Sequence, residues 1–141
     1  MTFTEEKTAI ETRLAAAFVA AALVDPLMVQ MDTGRNESKD EPSADGHYLR
    51  GYKRRTGRQR LGLGEGLDRY DGMVFVQILI PEQEGDSLVE PVYEAIAPSF
   101  VTSVADDLEF EEAPDLIEGA GDGTHSVAVA QFPYRFLRPR G

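Results

Sequence analysis

Apolar residues near the N-terminus recur at helical spacing: Ile10, Leu14, Phe18 and Ala21 fall on one stripe, three or four residues apart. Thr2 and Glu5 stand as T-x-x-E, in which each side chain accepts a hydrogen bond from the backbone N–H of the other residue. Acidic side chains in that first turn, Glu5 and Glu6, suit the positive end of the helix dipole. Pro26 stops the helix, because the residue before a proline is pushed out of helical geometry. Residues 30–46, QMDTGRNESKDEPSADG, are almost wholly polar and rich in turn formers. They bury too little apolar area to offset their ordering entropy, which predicts a long mobile polar loop.

After His47 the pattern changes to alternation. His47 to Arg55 is expected to form a strand whose basic residues line an exposed edge or face. The run Leu61-Gly-Leu-Gly-Glu-Gly-Leu67 follows as a glycine-rich hairpin tip. Tyr70 to Ile80, YDGMVFVQILI, carries the strongest strand pattern, with Val74, Val76, Ile78 and Ile80 on one face and Met73, Phe75 and Leu79 on the other. Two apolar faces predict a central strand covered on both sides.

A second helix is predicted from Leu88 to Phe100, where Leu88, Val92, Ile96 and Phe100 step by four. Asp86 or Ser87 is its expected cap, Ser87 and Glu90 its capping box, and Pro98 its frayed end. A weakly patterned stretch from Leu108 to Ile117 and a glycine-rich turn over Gly119–Gly123 lead to the last strand, Ser126 to Phe136. On that strand Ala128, Ala130, Phe132, Tyr134 and Phe136 share one face. The order predicts an α+β fold in which two helices cover a mainly antiparallel sheet. The chain's 141 residues, of which 42% are hydrophobic, suit one domain over residues 1–141.

Composition removes much chemistry. With no cysteine, disulfides, thiol nucleophiles and thiolate metal sites are excluded. The two histidines, His47 and His125, flank strands and have no carboxylate at helical spacing, so no catalytic, metal or cofactor site is expected. Gly62, Gly64 and Gly66 form G-x-G-x-G between two strands, which fits a hairpin tip and not a phosphate cradle at a helix start. The acidic run Asp106–Glu112 lacks the spacing of a calcium loop and is read as a solvated strand face. The longest apolar run, Leu14 to Val24, is about half the roughly 20 residues a membrane helix needs. Glu5, Glu6 and Glu11 precede and flank it where a signal peptide carries basic residues, so the expectation is a cytoplasmic chain with no membrane partner.

Charge patterning adds most to this picture. The net charge is −11, but residues 47–69 hold seven basic side chains against Glu65 and Asp68. From Tyr70 to Tyr134 there are fourteen acidic residues and no Lys or Arg. Such blocks favour head-to-tail contact between copies or docking on a charged partner. The candidate interface is therefore Arg50, Lys53, Arg54, Arg55, Arg58, Arg60 and Arg69 with the hairpin glycines Gly62, Gly64 and Gly66. As exposed charges, Arg54, Arg55 and Arg58 are expected to be dispensable for folding. Tyr48 and Tyr52 interleave with the arginines, which leaves open a small nucleic-acid-binding module over residues 48–60.

The order of these segments resembles the tail terminator (tail completion) proteins of long-tailed bacteriophages and prophages. The residues that carry it are Thr4-Glu5 with Leu14, Tyr48-Leu49-Arg50, Leu61-Gly62-Leu63-Gly64, and Arg69-Tyr70-Asp71-Gly72 running on to Pro81 and Gly85. The helix from Leu88 and the closing Phe132-Pro-Tyr-Arg-Phe136 complete the series, which spans nearly the whole chain. The polar segment after the first helix and the acidity of residues 105–118 depart from the family's pattern. The resemblance implies a non-enzymatic virion protein, assembled in the host bacterial cytoplasm, that forms a homohexameric ring on the head-proximal end of the tail tube. Its implied partners are itself, the tail tube protein and the head-side connector or stopper protein, with genome DNA passing through the lumen. Another minor tail or connector ring component of the same fold is the neighbouring alternative.

Overall fold

The computed structural model describes residues 1–30, 45–62, 66–85, 87–101, 107–111, 115–119, 121 and 123–140. Helix α1, Phe3–Val24, starts on the expected box: the Thr2 hydroxyl accepts from the Glu5 N–H at 3.1 Å, and the Glu5 carboxylate accepts from the Thr2 N–H at 2.9 Å. It ends just before Asp25, which is extended ahead of Pro26. Ile10, Leu14, Ala17, Phe18 and Ala21 are buried, as the stripe requires, but so are Glu6 and Arg13.

Strand β1, Met28–Gln30, is parallel to the start of β2, His47–Leu61. The segment read as a loop thus loses Gln30 to a strand at one end. At the other, Asp45 accepts from the Gln83 amide at 3.2 Å, and the Gly46 carbonyl lies 3.1 Å from His125 Nε2. The remainder, 31–44, falls outside the described residues. Strand β2 is longer than expected and pairs antiparallel with β3, Leu67–Pro81, which pairs in turn with β6, His125–Pro139. The turn leaving β2 uses Gly62 at φ +79°, a conformation that side chains with a Cβ rarely adopt.

Helix α2, Val89–Ile96, and the single turn α3, Pro98–Val101, occupy the predicted second helix. The expected capping box is absent: Leu88 is the N-cap, is itself helical, and receives no side-chain cap. Asp86 lies outside the described residues. Pro98 interrupts instead of fraying the end, because it removes one N–H while Ala97 keeps helical angles of −55° and −42°. The weakly patterned stretch holds two short strands, β4 (Glu109–Phe110) and β5 (Asp115–Glu118), both antiparallel to β6.

The fold is α+β: the described residues form a mostly antiparallel six-stranded sheet in the order β1-β2-β3-β6-β4, with β5 also on β6. Strand β3 is central, and Val74, Val76, Ile78 and Ile80 are buried with residues of α1 and α2 in one cluster. Its other face departs from expectation. Leu79 is buried as expected, but Met73 and Phe75 are only half-buried, because both helices pack on the same side of the sheet. The apolar residues of the open side pack across strands instead, as Tyr52 does on Phe75 with ring centroids 5.0 Å apart. Among the described residues no helix is long and apolar enough to cross a membrane.

Candidate functional site

The basic residues of β2 are sorted by its pairing with β3. Lys53 and Arg55 stand opposite Val74 and Gly72, on the helix side; Arg50 and Arg54 stand opposite Gln77 and Met73, on the open side. A bulge between Arg55 and Gly57 inserts Thr56 and inverts the alternation. Arg58 and Arg60, opposite Tyr70 and Asp68, therefore return to the helix side. Arg69 of β3 is on the open side, 3.5 Å from Asp71. The block that reads as one positive surface is thus divided between two faces.

Part of it serves the interior. Glu6, fully buried in α1, accepts from Arg55 Nη2 at 2.7 Å, from the Tyr134 hydroxyl at 2.7 Å and from Lys53 Nζ at 3.3 Å. Burial alone would raise its pKa, but the hydrogen bonds from Arg55 and Tyr134 and the charges of Lys53 and Arg55 outweigh it and hold the carboxyl below its ordinary value. Burial and the Glu6 carboxylate together push the Tyr134 hydroxyl far above its usual pKa, so it stays a donor. The Arg55 guanidinium also lies 3.9 Å from the centroid of the Phe3 ring. Arg58 donates to buried Asp68 at 2.8 Å. These contacts correct the expectation of dispensability for Arg55 and Arg58, though not for Arg54: reversing Arg55 would set a second carboxylate against the fully buried Glu6, screened by water only in part.

The remaining candidates serve the hairpin or face outward. The Gly66 carbonyl accepts from the Arg140 N–H at 3.0 Å and leaves no room for a Cβ against the Leu61 carbonyl, which ties the hairpin base to the end of β6. Gly64 lies outside the described residues. Arg50 is half-buried on β2, whereas Arg54 and Arg60 are exposed and make no ion pair among the described residues.

Strand β1 pairs only with His47–Leu49, so the outer backbone edge of β2 from Arg50 to Leu61 has no strand partner among the described residues. The opposite edge of the sheet is formed by β4 and β5 and presents exposed Glu109, Glu111, Asp115 and Glu118. Glu109 is paired with Arg135 at 2.9 Å. Asp106 and Glu112, the ends of the acidic run, lie outside the described residues.

The histidines have partners that sequence spacing did not reveal. His47 is buried, with Nδ1 against Asp25 and Nε2 against Glu84, residues 22 and 37 positions away. Burial lowers its pKa, but the hydrogen bonds and charges of the two carboxylates win and raise it above the ordinary value. The group joins the end of α1, the start of β2 and the turn after β3. His125 is buried, its Nδ1 3.0 Å from the Thr124 hydroxyl. Among the described residues no group of three or more side chains is arranged to hold a metal ion.

No family model and no curated protein matches the chain. Among solved structures 27 chains match. One of them, a protein known by a sequence identifier alone, is 19% identical with a TM-score of 0.60, over 100% of this chain and 97% of that one. A likeness at that identity shows the fold alone, and it does so along the whole length.

Proposed function

We propose that this chain is a tail terminator of a long-tailed bacteriophage or prophage. In this reading it is a structural, non-enzymatic subunit that forms a hexameric ring on the head-proximal end of the tail tube. The ring ends tube polymerisation and joins the tube to the head-side connector or stopper, with the genome passing through its lumen. It resides in the virion after assembly in the bacterial cytoplasm. The observation that carries the reading is that exposed charges of opposite sign, unpaired among the described residues, stand on opposite edges of one sheet. Arg54 and Arg60 are on the β2 edge, and Glu111, Asp115 and Glu118 are on the β4–β5 edge. A ring requires heterologous contacts, in which one patch meets a different patch on the neighbour, and complementary potentials set encounter and register. The motif order from Thr4-Glu5 to Phe136 supports the same reading.

The test is disruption of the gene in the phage or prophage that carries it. Tails of uncontrolled length, unjoined to heads and restored to normal length by the intact gene, are expected. Normal head-joined tails would refute the reading, and tails of normal length that fail to join would assign the chain to another ring component. A second reading, nucleic-acid binding, has one observation in its favour: Arg50, Tyr52 and Arg54 share the open face, with Tyr52 stacked on Phe75. Salt-sensitive binding of single-stranded DNA by the isolated chain, lost in Tyr52→Ala, would select it.

A further inference from the structure

We infer that a second copy of this chain completes the outer edge of β2, adding its β4–β5 edge there so that one sheet continues from subunit to subunit. The inference rests on the ring reading for the presence of a neighbour and adds which surfaces meet and how.

An unpaired strand edge presents a row of N–H and C=O groups and is a template for another strand. The β2 edge from Arg50 to Leu61 is about 40 Å long at about 3.3 Å per residue. On the far side of the sheet, β4 and β5 lie along Ala128–Arg135 of β6, a span of about 26 Å that fits within it. Charge matches by edge: the exposed cations Arg54 and Arg60 stand along β2, one on each face, and the exposed acids Asp115 and Glu118 stand along β5, again one on each face. All four side chains are exposed, and no ion pair among the described residues occupies them.

Strand direction agrees. From β2 to β3, β6 and the β4–β5 pair the strands alternate, so β4 and β5 run opposite to β2. When copies repeat by rotation, without inversion, β2 of one subunit meets β4–β5 of the next in antiparallel orientation. That is the pairing the rest of the sheet already uses and the slightly stronger one. A junction between two different edges leaves each subunit with one of each, so it propagates until the rotation closes.

The experiment compares three variants of the full chain: Arg54→Glu with Arg60→Glu, Asp115→Arg with Glu118→Arg, and all four together. Self-association is followed by light scattering against concentration at low salt, and amide hydrogen exchange is measured in the monomeric and assembled states. Each two-site variant should melt like the parent and associate about tenfold or more weakly, and the four-site variant should recover association because both edges are reversed. In the parent assembly, amides between Arg50 and Leu61 should exchange about tenfold or more slowly than in the monomer. Undiminished association in both two-site variants, an assembly in which those amides remain unprotected, or a chain that never self-associates would each overturn the inference. An assembly with an unprotected β2 edge leaves the terminator reading standing. An edge-paired assembly whose gene is dispensable for tail length overturns that reading alone.

Discussion

Replacing Glu6 by Gln keeps the shape of the side chain and removes its charge. In the parent, three donors converge on this carboxylate: Arg55, Lys53 and the Tyr134 hydroxyl. Removing one partner of a fully buried ion pair costs about 3–5 kcal/mol, because the opposite charge is stranded. Here the stranded side chains of Lys53 and Arg55 remain 28% and 38% exposed, so water resolvates them in part. With that discount the expected loss at neutral pH is about 2 kcal/mol. For a chain of this length it corresponds to a fall in Tm of about 6 °C. The loss depends on pH. The Glu6 carboxyl has a folded pKa below its unfolded value, so its stabilisation is complete above about pH 4.5 and disappears as pH falls through the folded pKa. Urea melts of parent and Glu6→Gln should therefore differ at pH 7 and converge in acid. Equal stability at pH 7, or a gap that persists unchanged in acid, would refute the assignment of Glu6 as a buried, ionised anchor.

The His47 cluster titrates in the other direction: its folded pKa is raised, so its contribution is complete below about pH 6.5 and is lost as pH rises through the folded value. The stability difference between parent and His47→Gln should shrink as pH rises above about 6.5, and a difference that grew would reverse the sign of the argument. Val76→Asp puts a carboxylate where a fully buried side chain of the central strand stands, and should cost several kcal/mol of a total of about 5–15. Insoluble or unfolded protein by circular dichroism is the expected result, and a parent-like melt would remove β3 from the centre of the core. Reversing Arg55 alone should lower Tm, while reversing Arg54 alone should not, since only Arg55 contacts Glu6. Equal melts for the two would mean that the alternation of β2 does not sort these side chains as described.

Much of the frame was legible because it is periodic. The Thr2–Glu5 box and the Ile10–Ala21 stripe mark α1 through local spacing, and Val74 to Ile80 marks β3 through alternation. Alternation did not reveal which faces are covered. Met73 and Phe75 are as apolar as Val74 and Val76, yet both helices lie on one side, an outcome of how the chain crosses the sheet. Strands β1 and β4 have three and two residues, too few for any period to show. The buried polar groups were hidden for a different reason. Glu6 reads as an ordinary first-turn acid, and its burial is explained only by Lys53, Arg55 and Tyr134, which lie 47 to 128 residues away. The candidate interface was legible as a charge block. Its division follows the alternation of β2 as far as Arg55, but which side Arg58 and Arg60 take depends on the bulge at Thr56, which no residue type announces.

The most direct test of the account is a six-fold-averaged reconstruction of the head–tail junction of the particle that carries this chain. The account predicts one ring of six copies at the head-proximal end of the tube, each with α1 and the β2–β3–β6 sheet recognisable, and β2 of each copy beside β4–β5 of the next. Copies of the chain along the tube, at its distal tip or absent from the particle would contradict it.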